Sequence, residues 1–132
     1  MSRKHLLDAS ALLALIRNEP GAERVLPLLD DSRIHAVNLA EVARKMVSKG
    51  MPAADVEDLL AALSLDAIEE FSVKQALEVG WLGVETKRLG LSLGDCVCLV
   101  TARRTGLVAV TTERRWSEVT DLAVEILQIR PS

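Results

Sequence analysis

Leu93-Gly94-Asp95-Cys96-Val97-Cys98-Leu99-Val100-Thr101-Ala102, closed by Gly106 and followed by Leu107-Val108-Ala109-Val110-Thr111, is the stretch on which the fold turns. At about 100° per residue, Leu93, Cys96, Val97, Cys98, Leu99, Val100 and Ala102 cover nearly the whole circumference of a helix, the mark of one buried on most sides. Gly106 stops that helix, and the apolar run after it reads as a strand over 107 to 111. A buried helix feeding straight into an apolar strand predicts an α/β fold with a mainly parallel sheet.

The same alternation extends in both directions. Strands are expected near residues 4 to 7, 33 to 37, 66 to 71, 107 to 111 and 124 to 129, the last carrying the clearest β pattern in Val124, Ile126, Leu127 and Ile129. Helices fill the intervals at about 9 to 18, 22 to 30, 38 to 49, 53 to 64, 73 to 89 and 93 to 105. Pro20-Gly21, Gly50, Pro52, Gly90 and Gly106 fall where helices should stop or start. Leu39, Val42, Ala43 and Met46 make an i, i+3, i+4, i+7 stripe toward the core, with Glu41 roughly opposite it. The chain has 132 residues, 49% of them hydrophobic. That is enough for one compact domain over 1 to 132 with a core of its own, and no linker or repeat interrupts it.

Composition excludes several classes. Met1-Ser2-Arg3-Lys4-His5 before an apolar stretch looks like a secretory leader, but Asp8 breaks the stretch and no small-residue cleavage pattern follows. No other run approaches the roughly 18 apolar residues of a membrane span, so a cytoplasmic protein without membrane contact is expected. Cys96 and Cys98 would point about 200° apart on a helix, which argues against a disulfide or a zinc site. His5 and His35 fall in expected strands and read as surface or strand-edge residues. A net charge of −3 does not advertise a nucleic-acid binder. Local clusters still supply candidate phosphate contacts in Arg44, Lys45, Arg114 and Arg115. Phe71, Trp81 and Trp116 are too few to stack a single strand.

Four acids occupy unusual places: Asp8 after Leu6-Leu7, Glu41 early in a helix, Asp95 in the first turn of the buried helix, and Glu113 after Val108-Ala109-Val110. Each has an ordinary explanation. Asp8 can cap the next helix, and Glu41 can pair with Lys45 at i+4. Ser92 and Asp95 have capping-box spacing, and Glu113 can be a helix-start acid. If the strands are parallel, however, Asp8 and Glu113 emerge at one sheet edge, where doubly wound folds bind ligands. Carboxylates gathered there suit a hard cation.

Four segments carry a family resemblance: Leu7-Asp8-Ala9-Ser10-Ala11-Leu12, Asn38-Leu39-Ala40-Glu41-Val42, Gly90-Leu91-Ser92-Leu93-Gly94-Asp95, and Val110-Thr111-Thr112-Glu113-Arg114-Arg115-Trp116. In order and surroundings the chain resembles the PIN-domain nucleases, in particular the VapC-like toxins of type II VapBC toxin-antitoxin systems. The resemblance runs nearly end to end. It implies a three-layer α/β/α sandwich around about five strands, and a metal-dependent endoribonuclease that inhibits translation until its VapB-like antitoxin neutralises it.

By the same resemblance, Asp8, Glu41, Asp95 and Glu113 are catalytic. Asp8 and Asp95 would hold Mg²⁺ or Mn²⁺ directly, Glu41 and Glu113 directly or through water, and Ser10, Asn38 and Thr111 would orient carboxylates or waters. Transfer or ribosomal RNA is the implied substrate, cut to a 5′-phosphate and a 3′-hydroxyl. A homodimer is implied, with an antitoxin segment along the helices near 9 to 30 and 53 to 64. Two positions depart from the pattern. Glu113 stands where the family usually has Asp, and Cys96 where a basic residue is common. Packed carboxylates without metal should leave at least one pKa raised.

Other readings fail on named residues. A haloacid-dehalogenase-type phosphatase needs an acid where Ser10 stands, and a receiver domain needs a late Lys, but no lysine follows Lys87. A nucleotide-binding Rossmann turn needs glycines that Asp8-Ala9-Ser10-Ala11 lacks. The remaining alternative is a catalytically impaired PIN scaffold that binds RNA or protein, its site spoiled by Glu113.

Overall fold

The computed structural model of the chain describes residues 3–119 and 122–130; Met1 and Ser2 of the leader-like stretch lie outside the described residues. Five strands, β1 (His5–Leu7), β2 (Ser32–Ile34), β3 (Asp66–Ala67), β4 (Val108–Thr111) and β5 (Ile126–Gln128), form one sheet in the order β3-β2-β1-β4-β5. Every pairing is parallel. Six α-helices connect them: α1 (Ala9–Ile16), α2 (Ala22–Val25), α3 (Ala36–Ser48), α4 (Ala53–Ala62), α5 (Val73–Glu85) and α6 (Leu93–Thr105).

Side-chain alternation along the strands divides the core between the two faces. In β1, Leu6 joins a cluster with α5 and α6 that contains Val79, Leu82, Leu99, Val100 and Trp116. Its neighbour Leu7 joins a second cluster with Leu12, Val25, Val42, Met46 and Val56. Ala109 and Val110 divide in the same way across β4. Strands covered on both faces read as continuous apolar runs, and the result is a three-layer α/β/α sandwich. The circumferentially apolar α6 is buried from Cys96 through Ala102, as its pattern demands.

Several boundaries differ from expectation, each for a local reason. The second helix is one α-helical turn, α2, continued by a 3-10 segment over Leu26–Asp31, where Pro27 supplies no N–H. The helix expected to reach residue 89 stops at Thr86, whose hydroxyl donates back to the carbonyl of Leu82. A 3-10 turn over Lys87–Leu89 then ends at Gly90, with φ 65°. β2 stops at Ile34, so His35 is not a strand residue but the N-cap of α3. Nor is it at the surface: fully buried, its Nδ1 accepts from the Val37 amide at 3.0 Å, and its Nε2 lies 3.2 Å from Gln75 Oε1. Cys96 and Cys98 are free thiols, both buried.

Strand order determines where a site can form. The chain leaves β1 for β2 and β3 on one side, then crosses to place β4 on the other side of β1. The crevice beyond the C-terminal ends of β1 and β4 is the switch point; Asp8 opens onto it, with Thr111 at the end of β4 beside Asp8.

Candidate functional site

Asp8 follows β1 and caps α1, with its Oδ1 accepting from the Ala11 amide at 2.8 Å. Two hydroxyls complete its clamp: Ser10 Oγ donates to Oδ1 at 2.7 Å and Thr111 Oγ1 to Oδ2 at 2.6 Å. Those hydroxyls in turn accept from the backbone. Thr112 N–H donates to Ser10 Oγ and Glu113 N–H to Thr111 Oγ1. Residues from the ends of two adjacent strands therefore hold one carboxylate. Asp8 is only 2% exposed, and burial pushes its carboxyl up to about 7. The bonds from Thr111, Ala11 and Ser10 oppose that rise, and the charge of Asp95 adds to it.

Glu41 sits on α3, and the helix stripe alone would place it away from the core. It is half-buried because α6 packs on that side. Asn38, one turn earlier, donates from Nδ2 to Glu41 Oε1 at 2.8 Å and to the Gly94 carbonyl at 3.1 Å. Gly94 makes this approach feasible, since a Cβ there would collide with the Glu41 carboxylate. Asn38 Oδ1 is buried without a partner.

Asp95 forms the capping box that its spacing foretold. Ser92 Oγ accepts from the Asp95 amide at 3.2 Å, and Asp95 Oδ2 accepts from the Ser92 amide at 2.9 Å. Burial raises its pKa above the ordinary value, the Ser92 bonds and Arg115 lower it, and Glu113 raises it. Glu113 is held by Arg115, which donates from Nε at 3.3 Å and Nη2 at 3.0 Å to the same oxygen. Arg115 also reaches the carbonyls of Leu89 and Gly90, tying this corner to the segment before α6. Fully buried Trp116 anchors the 3-10 turn Arg114–Glu118 beside it.

All four acids line one cavity of about 290 Å³, together with Ser10, Asn38 and Lys45. Thr111 stands behind Asp8 rather than on the lining. Lys45 also borders a second, more apolar cavity of about 470 Å³ between the ends of α1 and α3 and the start of α4, where Arg17 and Lys49 join it. Arg44 is exposed one residue before Lys45, along a shallow hollow shared with Glu41 and Ser48. Arg114 is exposed as well, whereas Arg115 is committed to Glu113.

The donor set suits a hard divalent cation. It is all oxygen, and four carboxylates share the cavity with one lysine and with Asn38, whose Oδ1 is buried without a partner. As the side chains stand, no three His, Cys, Asp or Glu among the described residues converge on one point able to hold an ion. Asp95 is turned to its cap and Glu113 to Arg115, so binding requires these side chains to re-aim. Two features were not read from sequence. The space left by Gly94 was signalled only by a glycine in a helix's first turn, a costly residue there. The Arg115 clamp had no signal beyond its motif.

Residues 5–122 match the family model described as PIN domain. Comparison with curated proteins returns no match. Among solved structures, a toxin-antitoxin complex from Klebsiella pneumoniae superposes with a TM-score of 0.73 at 20% identity, covering 98% of this chain and 100% of that chain. DNA-bound VapBC from Salmonella typhimurium gives 0.71 at 18% identity, covering 96% and 98%. VapBC-1 from nontypeable Haemophilus influenzae gives 0.70 at 19%, covering 95% and 97%. At these identities the likeness is one of fold.

Proposed function

Because the chain belongs to the PIN-domain family, we propose that it is a metal-dependent endoribonuclease, the toxin of a toxin-antitoxin pair, working as a homodimer. The observation that carries this reading is the convergence of Asp8, Glu41, Asp95 and Glu113 on one cavity at the switch point of the sheet. Asp8 and Asp95 would hold Mg²⁺ or Mn²⁺ directly, with Glu41 and Glu113 contributing directly or through water. Such an ion supplies Lewis acidity, lowering the pKa of an attacking water and neutralising charge on the leaving oxygen.

The chain's own residues do the positioning. Ser10 and Thr111 fix both oxygens of Asp8, and Asn38 fixes Glu41 against α6. Lys45 and Arg44 offer cations on the approach to the cavity, for the phosphates of an RNA strand such as transfer or ribosomal RNA. Arg114, exposed beside Glu113, is a further candidate phosphate contact, and Arg115 would join it only on release from Glu113. The partner reading draws on the apolar cavity beside α1, α3 and α4, which suits a side chain of a VapB-like antitoxin segment. Most of the apolar residues in 9 to 30, including Leu12 and Val25, belong to the core instead. No helix among the described residues is long and apolar enough to cross a membrane, in keeping with a cytoplasmic toxin.

RNA cleavage by the purified chain with Mg²⁺ or Mn²⁺, with and without chelator, tests the reading. Asp8→Ala should lower the rate by more than about a hundredfold, and Glu113→Asp should preserve it. Metal-independent cleavage, or full activity in Asp8→Ala, removes the assignment to this cavity. Activity that appears only in Glu113→Asp favours the impaired scaffold that binds without cutting.

A further inference from the structure

The acids of the cavity are held in two different ways. Asp8 is gripped by the hydroxyls of Ser10 and Thr111 and by the Ala11 amide, and Glu41 by the side-chain amide of Asn38. All of these donors are neutral, so an arriving cation meets the full charge of both carboxylates. Glu113 differs, because its partner is already a cation.

Arg115 does more than pair at a surface. Its guanidinium donates from Nε and Nη2 to Glu113 Oε2, while Nη1 reaches the carbonyls of Leu89 and Gly90 at 3.0 and 3.2 Å. At 3.0 Å the pair is the shortest ion pair among the described residues. The seat for Nη1 depends on a glycine. Gly90 has φ 65°, in the left-handed region, and a Cβ there would stand 2.9 Å from Arg115 Nη1. A planar fork fixed at three nitrogens gives up less freedom than a flexible lysine would, and it stays charged at any working pH. No loss of a proton releases Glu113.

The same seat leads to Asp95. Gly90 stands two residues before Ser92, whose amide donates to the Asp95 carboxylate and whose hydroxyl accepts from the Asp95 amide. One arginine therefore joins Glu113 to the segment that caps Asp95, and these are the two acids that must re-aim to meet an ion. The bonds from Nε and Nη2 use both lone pairs of Oε2. An ion reaches that oxygen only by displacing Arg115, and at the other oxygen it sits beside a like charge.

We propose that Arg115 competes with the metal ion for Glu113: it is the resident counter-ion of the metal-free site and lowers the affinity of that site for a divalent cation. The inference rests on the metal-dependent reading above and adds the residue that sets how tightly the ion is held. Arg115 is close to half exposed. Exposed pairs shift an equilibrium by up to about fivefold, so the arginine tunes the ion without excluding it.

Mn²⁺ binding to the purified full chain at pH 8, read without RNA from the loss of the free-ion electron paramagnetic signal, tests this. Arg115→Gln should bind Mn²⁺ about three- to tenfold more tightly than the parent, with the near-UV dichroism of buried Trp116 unchanged to show that the fold persists. Most of that gain should vanish when the substitution is made in Glu113→Ala, since the double-mutant cycle isolates the coupling between the two side chains. Asp8→Asn should weaken binding at least about tenfold, which places the ion in the cavity. Parental or weaker affinity in Arg115→Gln overturns the competition and leaves the metal reading intact. A gain of the same size in Glu113→Ala also overturns it, because the arginine then acts only through its general field. A parent that binds no Mn²⁺ at millimolar concentration, or binds it no better than Asp8→Asn, overturns the metal reading and this inference together.

Discussion

Asp8 is asked to do two things that set its ionisation against itself. As an N-cap clamped by Ser10 and Thr111 it is hydrogen-bonded in a way that favours the carboxylate, yet burial outweighs those bonds and raises its pKa from 3.8 to about 7. A carboxyl whose folded pKa exceeds its unfolded value favours the fold while protonated. That contribution is complete below about pH 4 and is lost as pH rises through 7. Asp95, raised in the same direction, adds to the trend. In chelator, urea denaturation of the parent should therefore show stability falling between pH 5 and pH 8. Asp8→Asn should flatten most of that slope and exceed the parent at pH 8 by roughly 2 to 4 kcal/mol. A parent indifferent to pH over that range would contradict the burial account.

Element by element, α6 shows what could be read beforehand and what could not. Its all-round apolarity and its Ser92-to-Asp95 spacing announced a buried helix with a capping box, and both are present. Gly94 was visible only as part of a motif, because the reason for it lies on α3: the Glu41 carboxylate occupies the place of its missing Cβ. Periodicity likewise found α5 without telling its inner face from its outer one, since Val79 and Leu82 are as apolar as Leu77 and Val84. His35 was misplaced because three short residues of strand give way to a cap within one position. Gly94→Ala separates the two roles a glycine can have here. Alanine favours the helix by about 0.5 to 1 kcal/mol, and the displaced group is the mobile end of a side chain. Thermal stability should thus stay within about 1 kcal/mol of the parent, while metal-dependent RNA cleavage falls at least about tenfold as Glu41 is pushed aside. Equal loss of both would mark Gly94 as a packing residue only.

For the molecule as a whole, alternating strands and helices made the three-layer sheet legible. The crossing of β4 to the far side of β1, which gathers acids separated by as many as 105 positions of sequence, was inferred only from parallel pairing and a family pattern. The consequence of that gathering is thermodynamic. Four carboxylates share one cavity, and burial, with mutual repulsion as a smaller cause, raises the pKa values of two of them, a cost to the charged forms that a bound cation offsets. Any ligand that binds only the native state stabilises it by mass action, by about 2.7 kcal/mol at a hundredfold excess over its Kd. In a domain of this size that corresponds to a rise in Tm of roughly 10 °C. Mn²⁺ should therefore raise the melting temperature of the parent and chelator should reverse the shift. The shift should be larger at pH 8 than at pH 6, because Asp8 must shed its proton to serve as a ligand. Asp8→Asn should lose most of it, and Arg24→Ala, exposed on α2 and absent from the cavity lining, should keep it. Equal shifts in the parent and in Asp8→Asn would move the cation elsewhere on the surface, and would leave the four acids as a cap, a clamp and two neighbours with no ion to share.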